Sequence, residues 1–144
     1  MKTLEVSSLE FRTEYPGLDE ISEKLDGLNI KNPVSEVNWK DFDYKPDVKF
    51  SIGYTGKEIL LKYYVTEQWF KAEKTESNQE VYEDSCVEFF VSPASDGRYY
   101  NFEFNGIGTC LMGTGTAREN LSRVDPGVIS RIRRLSSAGI NPVS

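Results

Sequence analysis

Two stretches of strict alternation, joined by a short run of turn formers, constrain the fold of this chain more than any other feature. In CVEFFV at 86–91 and in YNFEFN at 100–105, apolar side chains recur at every second position. Successive side chains of a strand point to opposite faces, so each stretch predicts a half-buried strand with one apolar and one polar face. Pro93 and Gly97 between them favour a turn, which makes the pair an expected antiparallel hairpin. A function would have to lie on its polar face, among carboxylates and amides.

A second alternating pair gives the fold class. Residues 48–54 and 59–65 alternate in the same way around a Thr-Gly-Lys turn, while 18–28 carries an apolar stripe at helical spacing. Weaker patterns predict a first strand within 3–9 and a last strand over 128–135. Short strands with turn signals between them predict an all-β fold, an antiparallel β-sandwich with one short N-terminal helix.

Length and charge exclude several classes of function. The chain has 144 residues, enough for a single domain over 1–144, and its net charge is -6. An acidic surface does not favour nucleic-acid binding, which relies on lysine and arginine. No apolar run is long enough to span a bilayer. The N-terminus does not read as a leader because Glu5 and Glu10 interrupt it, so we expect a cytoplasmic protein, or a periplasmic or extracellular one from which a leader was removed.

The residues available for chemistry are few. Histidine is absent, which removes the commonest general base and metal ligand. Cys86 and Cys110 match no zinc or redox spacing, and we expect free thiols, with a disulfide left open. No cofactor is predicted. Structural calcium on Glu83, Asp84 and Asp96 is conceivable because these are hard oxygen donors in or near turns, but solvated acidic side chains are the commoner case.

The strongest candidate for a site is the pair Glu88 and Glu103, on the polar faces of neighbouring strands. Paired carboxylates perform glycoside hydrolysis, so one interpretation is a small glycoside hydrolase that uses both residues. Asn101 and Asn105 flank Glu103, however, and make the face a hydrogen-bonding surface as much as an acid pair. Ligand binding and a structural network within the sheet are the alternatives.

Aromatic residues near this hairpin are candidates for stacking on a ligand. Trp69 lies in a polar loop over 67–81, and Tyr82 closes that loop. An exposed tryptophan either serves binding or tucks over the sheet edge, and both remain open. Trp39 is expected in the core. Beyond residue 97 the chain is rich in arginine, from Arg118 onward, which predicts either a solvated basic segment or a docking patch for acidic groups.

Four segments in a defined order carry a resemblance to a known family. They are NWKDFDYKP at 38–46, KEILLKYYVTE at 57–67, DSCVEFF at 84–90 and YYNFEFNGIGT at 99–109. On these segments the chain resembles the family 9 carbohydrate-binding modules and the related DOMON-type β-sandwiches. The resemblance implies a module that binds sugar termini or short oligosaccharides and works beside glycoside hydrolases.

The resemblance also assigns roles to residues. It implies that Glu88 contacts sugar hydroxyls and that Tyr82 holds the place of a stacking tryptophan, while Glu103 stands where such modules carry an arginine. Members of the family continue beyond this length, so the resemblance implies a single domain over 1–144 that lacks its C-terminal strands. We therefore predict a non-catalytic carbohydrate-binding module with ligand-binding residues Trp69, Tyr82, Glu88, Asn101 and Glu103, no metal, a carbohydrate ligand and a glycoside hydrolase partner. A hydrolase, or a protein-interaction module without sugar binding, is the alternative.

Overall fold

A computed structural model of the chain describes residues 2–38 and 40–138. Within these residues strands dominate, and the predicted all-β fold is confirmed. The strands are β1 (Ser7–Ser8), β2 (Asn32–Pro33), β3 (Asp47–Tyr54), β4 (Ile59–Thr66), β5 (Cys86–Val91), β6 (Tyr99–Asn105), β7 (Cys110–Gly115) and β8 (Ser122–Arg123). The helices are α1 (Leu18–Asp26), the single turn α2 (Pro126–Ile129), and 3₁₀ turns at Val81–Glu83 and Arg118–Asn120.

The chain divides into two compact units, Met1–Gln68 and Trp69–Ser144. In the first unit β3 and β4 form the predicted hairpin, with Asp47 opposite Thr66 and Tyr54 opposite Ile59. The other edge of β3 is shared by β1, which runs parallel to it, and β2, which runs antiparallel. The four strands make one sheet around a central β3.

Helix α1 packs its apolar stripe into the core of the first unit. Ile21 and Leu25 lie four residues apart, so they share one helix face, and both are buried together with Leu60 of β4. The helix ends near Gly27, whose backbone N–H donates to the carbonyl of Glu23 at 3.0 Å. The helix thus forms where the spacing predicted it, two residues shorter than expected.

The second unit contains a four-stranded antiparallel sheet in the order β5-β6-β7-β8. The predicted hairpin is at its start, and it pairs Cys86 with Asn105 and Val91 with Tyr100. The apolar face carries the core of this unit. Cys110, Met112 and Ile129 are buried there, and they are covered by Tyr100, Phe102, Phe104, Val124 and Ile132.

Parts of the predicted fold were wrong in detail. Of residues 3–9, only Ser7–Ser8 pairs as a strand. The stretch 128–135 is no strand, because Pro126 opens the helical turn α2 and Asp125 caps it, accepting the Gly127 N–H at 2.7 Å. The core position expected for Trp39 lies outside the described residues. A single domain over 1–144 stays a prediction.

Candidate functional site

The hairpin β5–β6 brings three of the predicted site residues together. Glu88 and Glu103 are direct cross-strand partners. Opposite residues in such a pair have Cβ atoms about 4.5–5.5 Å apart. Asn101 lies two positions from Glu103 on the same face, and its Nδ2 donates to Glu103 Oε1 at 2.8 Å. The polar face therefore holds a contiguous cluster of two carboxylates and an amide.

Two members of this cluster are deeply buried and incompletely hydrogen-bonded. Glu103 is 8% exposed and Asn101 is 5% exposed. The second carboxylate oxygen of Glu103, Oε2, and the amide oxygen of Asn101, Oδ1, have no hydrogen-bond partner in the protein. Buried polar atoms are nearly always paired, because an unpaired one costs about 1–3 kcal/mol. The amide oxygen is an acceptor, and so is Glu103 Oε2 when that carboxyl group is ionised, so the cluster can receive hydrogen-bond donors.

Burial makes both carboxyl groups of this pair reluctant to ionise. Desolvation raises the pKa of Glu103, and the charge of Glu88 raises it further, while Asn101 and two arginines act in the opposite direction. Desolvation also raises the pKa of Glu88, which Arg118 partly offsets. Glu88 is the exposed member of the pair and Glu103 the buried one.

Sequence reasoning missed the two arginines as part of this cluster. Arg118 lies in a 3₁₀ turn, and Arg123 lies on β8, opposite Gly113 of β7. Both side chains are exposed, and both lower the pKa of Glu103 through their charge. The basic segment is therefore in part a rim to the carboxylate cluster. The signal was hidden because β7, with two glycines and no alternation, was not predicted as a strand.

An aromatic pair on the same face was also missed. Phe90 stands directly opposite Asn101 and is 55% exposed. Its ring centroid lies 6.0 Å from that of Tyr99, at an interplanar angle of 41°. The sequence did hold the signal, since Phe90 falls in the same alternating set as Glu88. An exposed aromatic surface thus borders the buried amide, as a stacking platform for a ligand ring would.

The two predicted stacking residues lie on the segment that leads into β5. Tyr82 is in the 3₁₀ turn Val81–Glu83 and is 52% exposed. Its hydroxyl forms a hydrogen bond with Glu80. The charge of Arg123 acts to lower the pKa of Tyr82, as it does that of Glu103. Trp69 is 71% exposed, and its backbone carbonyl accepts from Ser85 Oγ at 3.5 Å. Tyr82 thus shares a charged neighbour with the cluster, whereas Trp69 is tied to residue 85 by its backbone.

Asp84 holds this segment in place. Its Oδ2 accepts the backbone N–H groups of Glu73 and Lys74 at 3.0 and 2.9 Å, and Asn105 Nδ2 at 2.9 Å. Desolvation acts to raise the pKa of Asp84, but the hydrogen bonds from Lys74, Asn105 and Glu73 outweigh it, so the pKa lies below its ordinary value. Asp84 is a charged anchor that fixes the approach of the chain to β5.

The remaining predicted chemistry concerns metals and thiols. In the part of the chain that the structure describes, no group of three or more acidic or cysteine side chains could hold a metal ion. Both cysteines are free. Cys86 lies on the polar face and Cys110, opposite Phe104, on the apolar face. Burial raises the pKa of Cys86 to about 12 and that of Cys110 to about 11.

Comparison with known proteins places the chain in a family. The model of carbohydrate-binding family 9 matches residues 19–144, and the chain belongs to that family. The resemblance drawn from the sequence is confirmed, and with it carbohydrate binding as the general function of the module.

A solved structure supports the assignment. The chain is similar to a crystal structure from Bacteroides uniformis, named a "putative carbohydrate-binding protein", with 42% identity and a TM-score of 0.80. The match covers 88% of this chain and 58% of that one, so the chain spans well under two thirds of its relative. No curated protein matches the chain. Among the described residues, no helix has the length and apolar character needed to cross a membrane.

Proposed function

We propose that the polar face of the second sheet binds a sugar as a non-catalytic module that serves polysaccharide or glycan breakdown. In this proposal Glu88, Asn101 and Glu103 accept hydrogen bonds from sugar hydroxyls. Phe90 supplies an apolar surface beside them, and Tyr82, with Trp69 on the same leading segment, supplies further stacking. A glycoside hydrolase is the expected partner, since such modules concentrate an enzyme on its substrate.

The observation that carries the proposal is the pair of buried acceptors without partners. Glu103 Oε2 and Asn101 Oδ1 are shielded from solvent and bonded to no protein donor. A sugar hydroxyl would satisfy each of them, and the exposed ring of Phe90 lies directly across from Asn101. Polar acceptors beside an aromatic face match the two sides of a pyranose ring, which has hydroxyls at its edge and C–H groups on its face.

The carboxylate pair favours binding over hydrolysis. A glycosidase needs its two carboxyl groups to differ, one protonated as the acid and one ionised as nucleophile or base. Here the pKa of Glu88 and that of Glu103 are both raised, each by desolvation first. Both pKa shifts have the same direction, so neither group is marked as the acid or as the base, and we expect no release of the aryl group from aryl glycosides. Turnover that disappears in Glu88→Gln would reverse this conclusion.

Titration of the protein with mono- and oligosaccharides, followed by calorimetry and tryptophan fluorescence, tests the site. Phe90→Ala and Glu88→Gln should each weaken binding about tenfold or more without loss of fold, as expected when roughly 1.4 kcal/mol of binding energy is removed. Phe42→Ala is the matched control, because Phe42 is 72% exposed in the first unit. Binding that survives both site variants would place the site elsewhere, and no response to any sugar would refute the proposal.

A further inference from the structure

The hydrogen-bonding groups that remain unused at the centre of the cluster are acceptors rather than donors. At its buried centre Asn101 Nδ2 is already used on Glu103 Oε1, so the amide has only its oxygen to offer. The free valences at the centre are Asn101 Oδ1, an acceptor, and Glu103 Oε2, an acceptor when its carboxyl group is ionised. The nearby positive groups, Arg118 and Arg123, are exposed at the rim. A ligand group that enters the centre must therefore bring donors, and more than one.

The buried carboxyl group of the cluster also lacks a cation in contact with it. Glu103 faces Glu88 across β5 and β6, and among the described residues no cation is in hydrogen-bonding contact with Glu103. Buried charges are normally paired. A neutral hydroxyl supplies a single donor and leaves the repulsion between the carboxylates in place. An ammonium group supplies three donors and a positive charge in one atom's volume.

Building on the proposed function, we infer that this face selects amino sugars, sugar units that carry a free protonated amine, over their neutral counterparts. The ammonium would lie between Glu103 Oε2, Asn101 Oδ1 and the carboxylate of Glu88, and the sugar ring would rest beside Phe90. Charge-assisted hydrogen bonds are about twice as strong as neutral ones, so the preference should be measurable.

Two other occupants fit the cluster less well. A divalent cation would seek several carboxylates, and the described residues contain no group of three or more acidic or cysteine side chains that could hold one. An acidic sugar would meet Arg118 and Arg123 at the rim, but its carboxylate would then face the Glu88–Glu103 pair. Only a cation with several hydrogen-bond donors supplies the missing hydrogen bonds and also neutralises the charge at the buried centre.

The test compares ligands that differ at one group. Glucosamine, glucose and N-acetylglucosamine are titrated into the full chain at about pH 7, where an amine of pKa about 7.7–8.0 is mostly protonated. Glucosamine should bind about tenfold more tightly than the other two. In Glu103→Gln the preference should be lost, so that glucosamine binds no more tightly than glucose does to the same variant. Glu76→Gln, an exposed carboxylate with the same change in charge, should keep the preference.

Each alternative outcome has a distinct meaning. Equal affinity for glucosamine and glucose overturns the inference and leaves sugar binding in place, whereas no binding of any of the three also counts against the proposed function. Binding of ethanolamine as tight as that of glucosamine would mean that charge alone is recognised. A preference that persists in Glu103→Gln, or displacement of glucosamine by calcium, would also overturn the inference.

Discussion

The two long hairpins of this protein have the same alternating pattern and put it to different uses. In β3–β4 the charged side chains find partners near the surface, as Lys49 does with Asp47 at 3.2 Å and Lys62 with Asp26 at 2.8 Å. In β5–β6 the corresponding polar face contains Asn101 and Glu103, which are buried and have acceptors without partners. Alternation alone shows only which face of the sheet the polar residues occupy. The two hairpins differ in that carboxylate and amide oxygens of β5–β6 are buried without a protein partner, whereas these two lysines of β3–β4 are paired.

The largest effect expected separates the two faces of the second hairpin. Phe102 packs on the apolar core, partly buried, whereas Phe90 is 55% exposed on the polar face. Phe102→Ala should cost about 3 kcal/mol of unfolding free energy, the lower end for a core phenylalanine. Phe90→Ala should cost about 0.5 kcal/mol or less. Urea unfolding measures both, and similar losses would mean that the faces do not differ as described.

The next effect concerns Asp84, the anchor of the segment before β5. Its pKa is lowered in the folded state, so its contribution to stability is present above the unfolded pKa of about 3.8 and is lost as the pH falls through the folded value. Asp84→Asn should lower the melting temperature at about pH 7 by several degrees and flatten the acid limb of the stability curve. Asp43→Asn, at an exposed position, is the control. An unchanged acid limb would remove the anchor role.

For Glu103 the dependence of folding stability on pH should have the opposite sign to that for Asp84. Its pKa is raised, so the folded state is most favoured below the unfolded pKa of about 4.5 and loses stability as the pH rises through the folded value. Glu103→Gln keeps an acceptor for Asn101 and removes the buried charge. It should be more stable than the unmodified protein at about pH 7, with the advantage fading below about pH 4. A less stable variant at about pH 7 would show that Arg118 and Arg123 outweigh desolvation and the charge of Glu88.

Much of the fold follows from local patterns in the sequence. Both hairpins and α1 were predicted within two residues because their apolar periodicity is strong and their turns carry clear signals. Strand β7 was not, since CLMGTG has neither alternation nor β-branched residues throughout, and its pairing with β6 is a tertiary effect. Helix α2 begins just before the stretch predicted as a strand, because the Asp-Pro start signal at 125–126 favours a helical turn there.

The candidate site was predictable only in part. Glu88, Asn101 and Glu103 share a face by simple alternation, and the structure brings them together. Arg118 and Arg123 reach the same cluster through β7 and β8, far along the chain, so no local pattern could place them. Phe90 belongs to the same alternating set as Glu88, but the stacking residues predicted from the sequence are Trp69 and Tyr82. Which acceptors stay unpaired depends on side-chain packing, which periodicity does not describe.

The smallest expected change in unfolding free energy concerns the ion pairs of the first hairpin, β3–β4. Lys49 and Asp47 form an ion pair with side chains 47% and 64% exposed. Such surface pairs contribute about 0–1 kcal/mol, so Lys49→Ala should change the unfolding free energy by about 0.5 kcal/mol or less, and less still at high salt. Lys62→Ala should cost somewhat more, because Lys62 Nζ also donates to Ser22 Oγ at 2.6 Å. A large loss in Lys49→Ala, undiminished by salt, would mean that this face too depends on its charged groups. The difference drawn between the hairpins would then fail.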